Sequence, residues 1–300
     1  MFNLQSPRFY AMLPQKGGGI MKIGIAGKRN SEEGYYKKLK SYGFDYLDFD
    51  MTDTNDVPYT YSEKDFYQYL NNEKRLADEV GVKIWQVHGP WRCPPLDETI
   101  ENRAERFEKM ARSIRGTAIL GAKYWVIHPI MPLEREDILT NNVTETRKLN
   151  LEFMGKLLHV AKQENVTICL ENMPFLNFSL SSPAAIAEFV KEINDPAFMM
   201  CLDTGHANVC KDWHTPANAI REFAPLIKVL HVHDNNGKGD QHFAPFWGNI
   251  DWNDFSSALH ETNFDGVLSL ECKPNGKLPE DILEDMYSIY YRIAKSISGS

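Results

Sequence analysis

The sequence predicts an α/β fold of the (β/α)8 barrel type, formed by a single domain. The first observation is that eight short apolar segments recur along the chain, each bounded by turn residues. The second is that longer polar segments with helical periodicity lie between them. Near-continuous apolar strands that alternate with helices are typical of a parallel sheet buried on both faces, and eight such units close into a barrel.

The predicted strands and helices follow one another in strict alternation. The strands are MKIGIAG (21–27), YLDFDM (46–51), KIWQVHGP (83–90), YWVIHPI (124–130), TICLENM (167–173), MMCLDTGH (199–206), IKVLHVHD (227–234) and GVLSLECK (266–273). The helices after strands two, three and four end at Gly81, Gly121 and Asn165, residue types that stop helices. A doubly wound sheet would need a glycine-rich phosphate loop after an early strand, and IAGKRNSEEG does not match that pattern.

Both ends of the chain differ from the repeating part. Residues 1–20 end in a run of three glycines and lack the apolar core of a signal peptide, so we expect an extension outside the fold. Residues 21–300 then form the barrel domain. The last predicted helix, DILEDMYSIYYRIAKSI, has an apolar and aromatic face wide enough to pack on the barrel or on a partner subunit, which leaves a homo-oligomer open.

Composition restricts the class of protein. Three hundred residues with 43% hydrophobic content can bury one large core. A net charge of −8 and a pI near 5.6 give no overall field that would attract nucleic acid or an anionic membrane. No stretch approaches the roughly 18 apolar residues of a membrane span. Five scattered cysteines without CxxC spacing suit a reducing compartment, so we expect a cytoplasmic protein.

Titratable side chains fall at the C-terminal ends of six predicted strands: His88, His128, Glu171, Asp203, His206, His231, His233 and Glu271. In a (β/α)8 barrel these ends meet at one mouth, where catalytic groups lie. Taken singly, such a histidine is more often a hydrogen-bonded core residue, and Asp203 could simply cap a turn. Taken together, buried carboxylates and imidazoles that face one another are costly unless they are paired or bind a metal, which favours a cation.

Four of these residues form the candidate metal centre: Glu171, Asp203, His231 and Glu271. Three carboxylates and one imidazole suit Mn²⁺, which we expect, as well as Mg²⁺ or Co²⁺, and they tolerate Zn²⁺. In the stretch HVHDNNGKGDQH (231–242), the spacing of Asp240 and His242 lets both reach one ion or one substrate, although a solvated loop is the alternative. We expect the neighbouring pair, His233 and Asp234, to support His231 or the loop.

Large aromatic residues follow two of the predicted strands. Trp91 and Trp247 lie in loops beside proline or glycine, and we expect them to form walls of a substrate site. Trp252, after GNID, is expected to pack against the following helix instead.

An ordered set of motifs resembles the xylose isomerase-like TIM barrel superfamily. The motifs are HGP (88–90), VIHP (126–129), LEN (170–172), LDTGHAN (202–208), LHVHDN (230–235), DQH (240–242), GNIDW (248–252) and FDGVLSLE (264–271). The resemblance covers nearly the whole chain from Met21 onward. This superfamily includes sugar and sugar-phosphate isomerases and epimerases, inosose dehydratases and endonuclease IV.

Resemblance to the ketose 3-epimerases implies that the four-residue centre holds one divalent metal. It also implies that Glu171 and Glu271 act as acid and base, abstracting a proton next to a carbonyl through an enediolate. His206 would touch a substrate hydroxyl. The chain departs from this subgroup where Gly237, beside Lys238, replaces an expected arginine, so the sugar is left open.

The three-zinc site of endonuclease IV can be laid over the same chain. Its three ligand sets would be His88, His128 and Glu171; Glu171, Asp203, His231 and Glu271; and His206, Asp240 and His242. The loops after the strands are acidic and aromatic rather than basic, which speaks against DNA. We therefore expect a metal-dependent isomerase or epimerase acting on a small sugar or sugar phosphate, with Asp240 and His242 bordering its pocket. The alternatives are a lyase or dehydratase on a keto-sugar, and then an abasic-site nuclease.

Overall fold

The structure is a computed structural model. It describes residues 21–27, 34–91, 97–131, 143–211, 214–272, 274 and 276–299. The expected extension, residues 1–20, lies outside the described residues. Among the helices of the described ranges, none is both long and apolar enough to cross a membrane.

Eight parallel strands form one sheet, which confirms the predicted fold class. They are β1 Lys22–Ala26, β2 Tyr46–Asp50, β3 Lys83–His88, β4 Tyr124–Ile127, β5 Thr167–Glu171, β6 Phe198–Asp203, β7 Ile227–His231 and β8 Val267–Leu270. Their order in the sheet is β7-β6-β5-β4-β3-β2-β1-β8, so that β1 pairs with the last strand. The barrel therefore needs one further junction, between β7 and β8, to close.

That junction, which we call the seam, is short. The amide of Val232 donates to the carbonyl of Ser269 at 2.8 Å, and the amide of Glu271 donates to the carbonyl of Val232 at 2.9 Å. Val232 and Leu270 form a parallel bridge there. Because these bonds lie at the C-terminal ends of β7 and β8, the barrel is closed at its mouth.

Helices cover the outside of the barrel. Those described are α1 Tyr35–Tyr42, α2 Val57–Thr60, α3 Glu63–Val80, α4 Ile100–Ile119, α5 Val143–Gln163, α6 Pro183–Ile193, α7 Thr204–Val209, α8 Pro216–Phe223, α9 Trp252–Glu261 and α10 Glu280–Ser298. The predicted stops Gly81, Gly121 and Asn165 have φ of 74°, 75° and 55°. This left-handed conformation ends a helix, as the sequence predicts.

The core has two parts. A large apolar cluster joins the outer faces of the strands to the helices. A smaller cluster, separate from it, consists of one residue from each of four consecutive strands: Val126, Cys169, Cys201 and Val229. Because side chains alternate between the two faces of a strand, this smaller cluster fills the barrel interior below the mouth. The four described cysteines are buried and free.

Candidate active site

The candidate metal centre assembles at the C-terminal end of the barrel. Glu171, Asp203 and His231 are the last residues of β5, β6 and β7, and Glu271 follows β8 directly. Each offers one ligand atom, and the four atoms lie within 4.8 Å of one another. The first three side chains are buried, whereas that of Glu271 is 20% exposed. The centre therefore opens towards solvent on the side of Glu271.

His231 lies between carboxylates on both sides of its ring. Its Nδ1 is 2.9 Å from Glu171 Oε1 and 3.5 Å from Glu271 Oε2, and its Nε2 is 2.9 Å from Asp48 Oδ2. Burial lowers the pKa of His231, but these carboxylates raise it well above its usual value. The sequence analysis missed Asp48, although a carboxylate in the middle of the apolar segment YLDFDM was a visible signal.

The second oxygen of Glu171 faces two further histidines. Glu171 Oε2 is 3.0 Å from His128 Nε2 and 3.5 Å from His88 Nε2. This oxygen is buried, and no described residue gives it an aligned hydrogen bond. The Nδ1–H of His88 donates to the carbonyl of Gly89 at 3.0 Å, which leaves Nε2 turned to the carboxylate. Burial raises the pKa of Glu171, but the nearby histidines lower it well below its usual value, so the group is a carboxylate.

Two histidines converge on Asp240. Its Oδ2 is 3.2 Å from the Nε2 atoms of both His206 and His242. In each ring, Nδ1 lies 2.8 Å from a backbone carbonyl, that of Asn172 or Glu271. A carbonyl can only accept, so Nδ1 carries a proton and Nε2 is the atom aimed at Asp240. The structure thus brings His206, Asp240 and His242 together.

The pKa values of this second group follow from its charges. Burial lowers the pKa of His206, but Asp203 and Asp240 raise it to about 10. Burial likewise lowers the pKa of His242, and its hydrogen bond to Asp240 raises it to about 9. Burial raises the pKa of Glu271, whereas the nearby imidazoles lower it to about 2. The imidazoles around Glu271 therefore favour its ionised form.

Asp203 serves both as a helix cap and as part of the centre. Its Oδ1 accepts the backbone amide of His206 at 2.6 Å and so caps α7, while its Oδ2 is 2.9 Å from Nε2 of His233. The ring of His233 stacks on that of His242, with centroids 4.0 Å apart. A Cβ on Gly205 would lie 2.0 Å from Cε1 of His233, so only glycine leaves room for this ring.

Asp234 organises the loop between β7 and α9 through contacts within that loop and with Trp252, the first residue of α9. Its carboxylate accepts the amides of Gly248 and Ile250, at 3.0 and 3.2 Å, and the indole N–H of Trp252 at 2.8 Å. Trp252 is buried and packs edge-on against Phe255 of α9, as predicted. The loop that carries the D-x-H pair is therefore anchored at both of its ends.

The two tryptophans proposed as walls lie in different surroundings. Trp91 is partly buried and meets the ring of His128 edge-on, with centroids 5.7 Å apart. Its indole Nε1 is buried and has no hydrogen-bond partner among the described residues. Trp247 is 54% exposed and contacts Tyr290 of α10. Trp91 thus lies beside His128, whereas Trp247 packs against the last helix, α10.

The position at which the ketose 3-epimerase pattern has arginine is a turn. Gly237 has a φ of 74°, and its amide donates to Asn235 Oδ1 at 2.9 Å. A larger residue would be strained in this conformation. Lys238 beside it is exposed. Arginine therefore could not replace Gly237 here without a change in the loop.

Comparison with known proteins identifies the family. Residues 36–289 match the family model for xylose isomerase-like TIM barrels. A D-psicose 3-epimerase from Agrobacterium fabrum is 24% identical over 260 residues, 83% of this chain and 82% of that protein. An uncharacterised protein from Methanocaldococcus jannaschii is 30% identical over 204 residues, 66% of this chain and 67% of that protein.

A solved structure agrees with this assignment. The crystal structure of a D-tagatose 3-epimerase-like protein has a TM-score of 0.69 to this chain at 25% identity, and the match covers 92% of this chain and 99% of that one. The family match spans most of the sequence, and the eight-stranded parallel barrel of the structure agrees with it. This chain belongs to the xylose isomerase-like TIM barrel family.

Proposed function

We propose that this chain is a divalent-metal-dependent epimerase or isomerase of a small sugar or sugar phosphate. The observation that carries the proposal is the convergence of Glu171 and Glu271, from opposite parts of the barrel, on one cluster of ligand atoms. The relatives named D-psicose 3-epimerase and D-tagatose 3-epimerase-like protein support a ketose as the substrate class. Proton transfer next to a carbonyl is the chemistry that two such carboxylates perform.

The residues present fit a divalent cation. Glu171 Oε2 is buried and receives no aligned hydrogen bond from the residues that the structure describes, while two imidazole nitrogens lie within 3.5 Å of it. An uncompensated buried carboxylate is costly, and a cation would offset that cost. Glu171, Asp203, His231 and Glu271 would hold the ion, and this donor set suits Mn²⁺. When bound, the cation would polarise the carbonyl and a neighbouring hydroxyl of the sugar.

The side chains around the centre have distinct proposed roles. Glu171 and Glu271 would take a proton from one face of the sugar and return one to the other. Nε2 of His206 would contact a substrate hydroxyl. The indole N–H of Trp91, which has no partner among the described residues, would donate a hydrogen bond to the substrate, and its ring would exclude water from one side. Trp247, more exposed, would contact the outer part of a bound sugar.

Solvent isotope exchange tests the acid and base pair. In D₂O with Mn²⁺, the wild type should exchange deuterium into carbon 3 of a ketose such as D-psicose or D-tagatose, as read by NMR. Glu171→Gln and Glu271→Gln should each slow the exchange about 100- to 10,000-fold, because an amide cannot take the proton. Glu152→Gln, an exposed glutamate on α5, is the matched control and should exchange at the wild-type rate.

Two outcomes would contradict the proposal. A glutamine variant at either position that kept full exchange would rule out its role as acid or base. A wild-type protein that exchanged no ketose with any divalent cation would remove the epimerase assignment. Loss of the hydroxyl next to the exchanged carbon, visible in the same spectra, would instead identify a dehydratase that uses the same proton abstraction.

A zinc-dependent abasic-site nuclease is the second candidate, and one observation favours it. Besides the central cluster, His88 and His128 face Glu171 Oε2, while His206 and His242 face Asp240 Oδ2. These are the two additional ligand sets that a three-metal layout requires. The test is metal content per chain together with incision of abasic DNA. One ion and no incision is expected, whereas three zinc ions with incision would replace the epimerase proposal.

A further inference from the structure

We infer that Asp48 is a positioning residue that fixes His231 with a proton on Nε2 and with Nδ1 presented to the metal. The inference rests on the proposed function, because it assigns a role within the same centre. Asp48 Oδ2 lies 2.9 Å from His231 Nε2, on the side of the ring opposite Glu171. It comes from β2, across the barrel from β7.

The carboxylate of Asp48 is buried, and its desolvation costs free energy unless partners compensate for it. Asp48 is 2% exposed and lies between the buried residues Leu47 and Phe49. Its Oδ2 accepts a second hydrogen bond, from Gln86 Nε2 at 3.0 Å, but its Oδ1 has no partner among the described residues. An apolar residue at this place would avoid the desolvation cost. The carboxylate is therefore best explained by what it does for the imidazole.

The direction of the hydrogen bond determines which nitrogen can bind a metal. An ionised carboxylate only accepts hydrogen bonds, so the proton lies on Nε2 of His231. Without a cation, Nδ1 faces the carboxylate of Glu171 and carries a proton as well. A cation in the centre would displace that proton and leave the lone pair of Nδ1 for coordination, while Nε2 keeps its proton towards Asp48. The other tautomer would turn the lone pair of Nε2 against the carboxylate of Asp48. A carboxylate partner also increases the basicity of the coordinating nitrogen.

Asp50, a second acidic residue on β2, differs from Asp48 in its hydrogen bonds. Asp50 Oδ1 accepts the amide and the hydroxyl of Thr52, at 2.9 and 2.7 Å, in a local turn. Asp48 instead reaches a residue 183 positions away in the chain. Local turn formation therefore accounts for these two hydrogen bonds of Asp50 but not for the contact between Asp48 and His231.

Metal affinity provides the first test, with Mn²⁺ as the probe and calorimetric titration as the measurement. Asp48→Asn keeps the shape and removes the charge, and should weaken Mn²⁺ binding about 10- to 100-fold. The matched control is Asp97→Asn, an equally buried carboxylate that pairs with Arg103 and Arg106 rather than with the histidines. Its affinity should equal that of the wild type. Equal affinity of Asp48→Asn and the wild type would overturn the inference.

A second test needs neither metal nor activity. In the metal-free wild type, ¹⁵N NMR should show the Nε2 proton of His231 shifted downfield and protected from solvent exchange, with His231→Gln identifying the signal. Asp48→Asn should move this proton upfield and speed its exchange. A wild-type His231 without a proton on Nε2 would refute the role of Asp48 even if Mn²⁺ binds. A wild type that binds no metal would refute the proposed function, while the NMR result would still decide whether Asp48 fixes the ring.

Discussion

At the scale of single residues, the orientation of four imidazoles at the mouth is set by a partner on the far side of the ring. The Nδ1 atoms of His88, His206 and His242 each donate to a backbone carbonyl. His231 differs, because its Nε2 faces Asp48. The nitrogen that points into the mouth is thus Nε2 in three rings and Nδ1 in the fourth. Partners of this kind would hold the rings in place for the proposed ion or substrate.

Asp234 allows a quantitative prediction about the loop that it anchors. Asp234→Ala removes the acceptor of three backbone amides, those of Asn235, Gly248 and Ile250, and of the indole N–H of Trp252. We expect a loss of about 3 kcal/mol in the free energy of unfolding, measured by urea denaturation. Asp251→Ala, which removes the N-cap of α9, should cost only about 1 kcal/mol. Similar losses for the two variants would contradict the anchoring role.

The residues at strand ends could be predicted from the sequence, whereas their supports could not. Strand ends converge in any (β/α)8 barrel, so the positions of Glu171 and His231 follow from the apolar pattern alone. The contact between Asp48 and His231 depends on which interior side chains meet across the barrel, and that depends on strand register. A periodicity of two shows that Asp48 shares a face with Asp50, but not what lies opposite.

At the scale of elements, the short helix α7 links the end of β6 to the segment after β7 through hydrogen bonds. It begins directly after Asp203, and the hydroxyl of its first residue, Thr204, bonds both the amide and the carbonyl of His233, at 3.0 and 2.7 Å. Asn235 donates to the carbonyl of Gly205 at 2.7 Å. The helix therefore presses closely on the segment that follows β7.

A pair of glycine substitutions tests this close contact. Gly205→Ala places a methyl group on the ring of His233 and should destabilise the protein by about 1–3 kcal/mol. Gly155→Ala, in α5, meets nothing within 4 Å and should stabilise it by about 0.5–1 kcal/mol. Thermal and urea unfolding of both variants measure the direction and size of each change in the free energy of unfolding. Stabilisation by Gly205→Ala would mean that the ring of His233 has room to move.

Strand boundaries differ from the predicted ones for a physical reason. His233 was expected to close the seventh strand, but β7 ends at His231, the last residue in register with Asp203. Beyond it, Val232 pairs with Leu270 and Asp234 pairs with Phe243. After His231 the chain pairs with different segments. The apolar pattern of the sequence continues through this point, so it does not show where the strand ends.

The last helix fulfils one of its two predicted roles. Tyr290, Ala294 and Ile297 of α10 are buried in the core. Ile282 and Ile289 remain 42% and 39% exposed. The apolar face thus serves the barrel, and association with a second copy stays a prediction.

At the scale of the whole molecule, the candidate centre lies across the seam. His231 ends β7 and Glu271 begins the segment after β8, and two backbone hydrogen bonds join the strands between them. Other neighbouring strands pair through ladders of three or more residues. An ion held by both side chains would therefore stabilise the weakest junction of the barrel.

Metal removal should loosen this junction selectively. After treatment with EDTA, we expect the amides of Val232 and Glu271 to exchange with D₂O faster, because the ion no longer links the two strands. The amide of Ile168, in the β5–β6 ladder and three residues before Glu171, is the internal control and should change little. Mn²⁺ at about 100 times its Kd should add about 2.7 kcal/mol to stability. Uniform acceleration at all sites, or none at the seam, would contradict a metal that bridges β7 and β8.

The pairing of β1 with β8 also imposes an order on synthesis. Lys22 is in register with Val267, so the first strand has no partner on that side until nearly the whole chain has been made. Glu171, Asp203 and His231 leave the ribosome before Glu271 does. A nascent chain can offer three of the four proposed ligands but not the fourth, which follows the strand that completes the barrel. If the proposed centre binds its ion, binding by all four side chains would require that synthesis has passed β8, and a truncated product would lack the complete site.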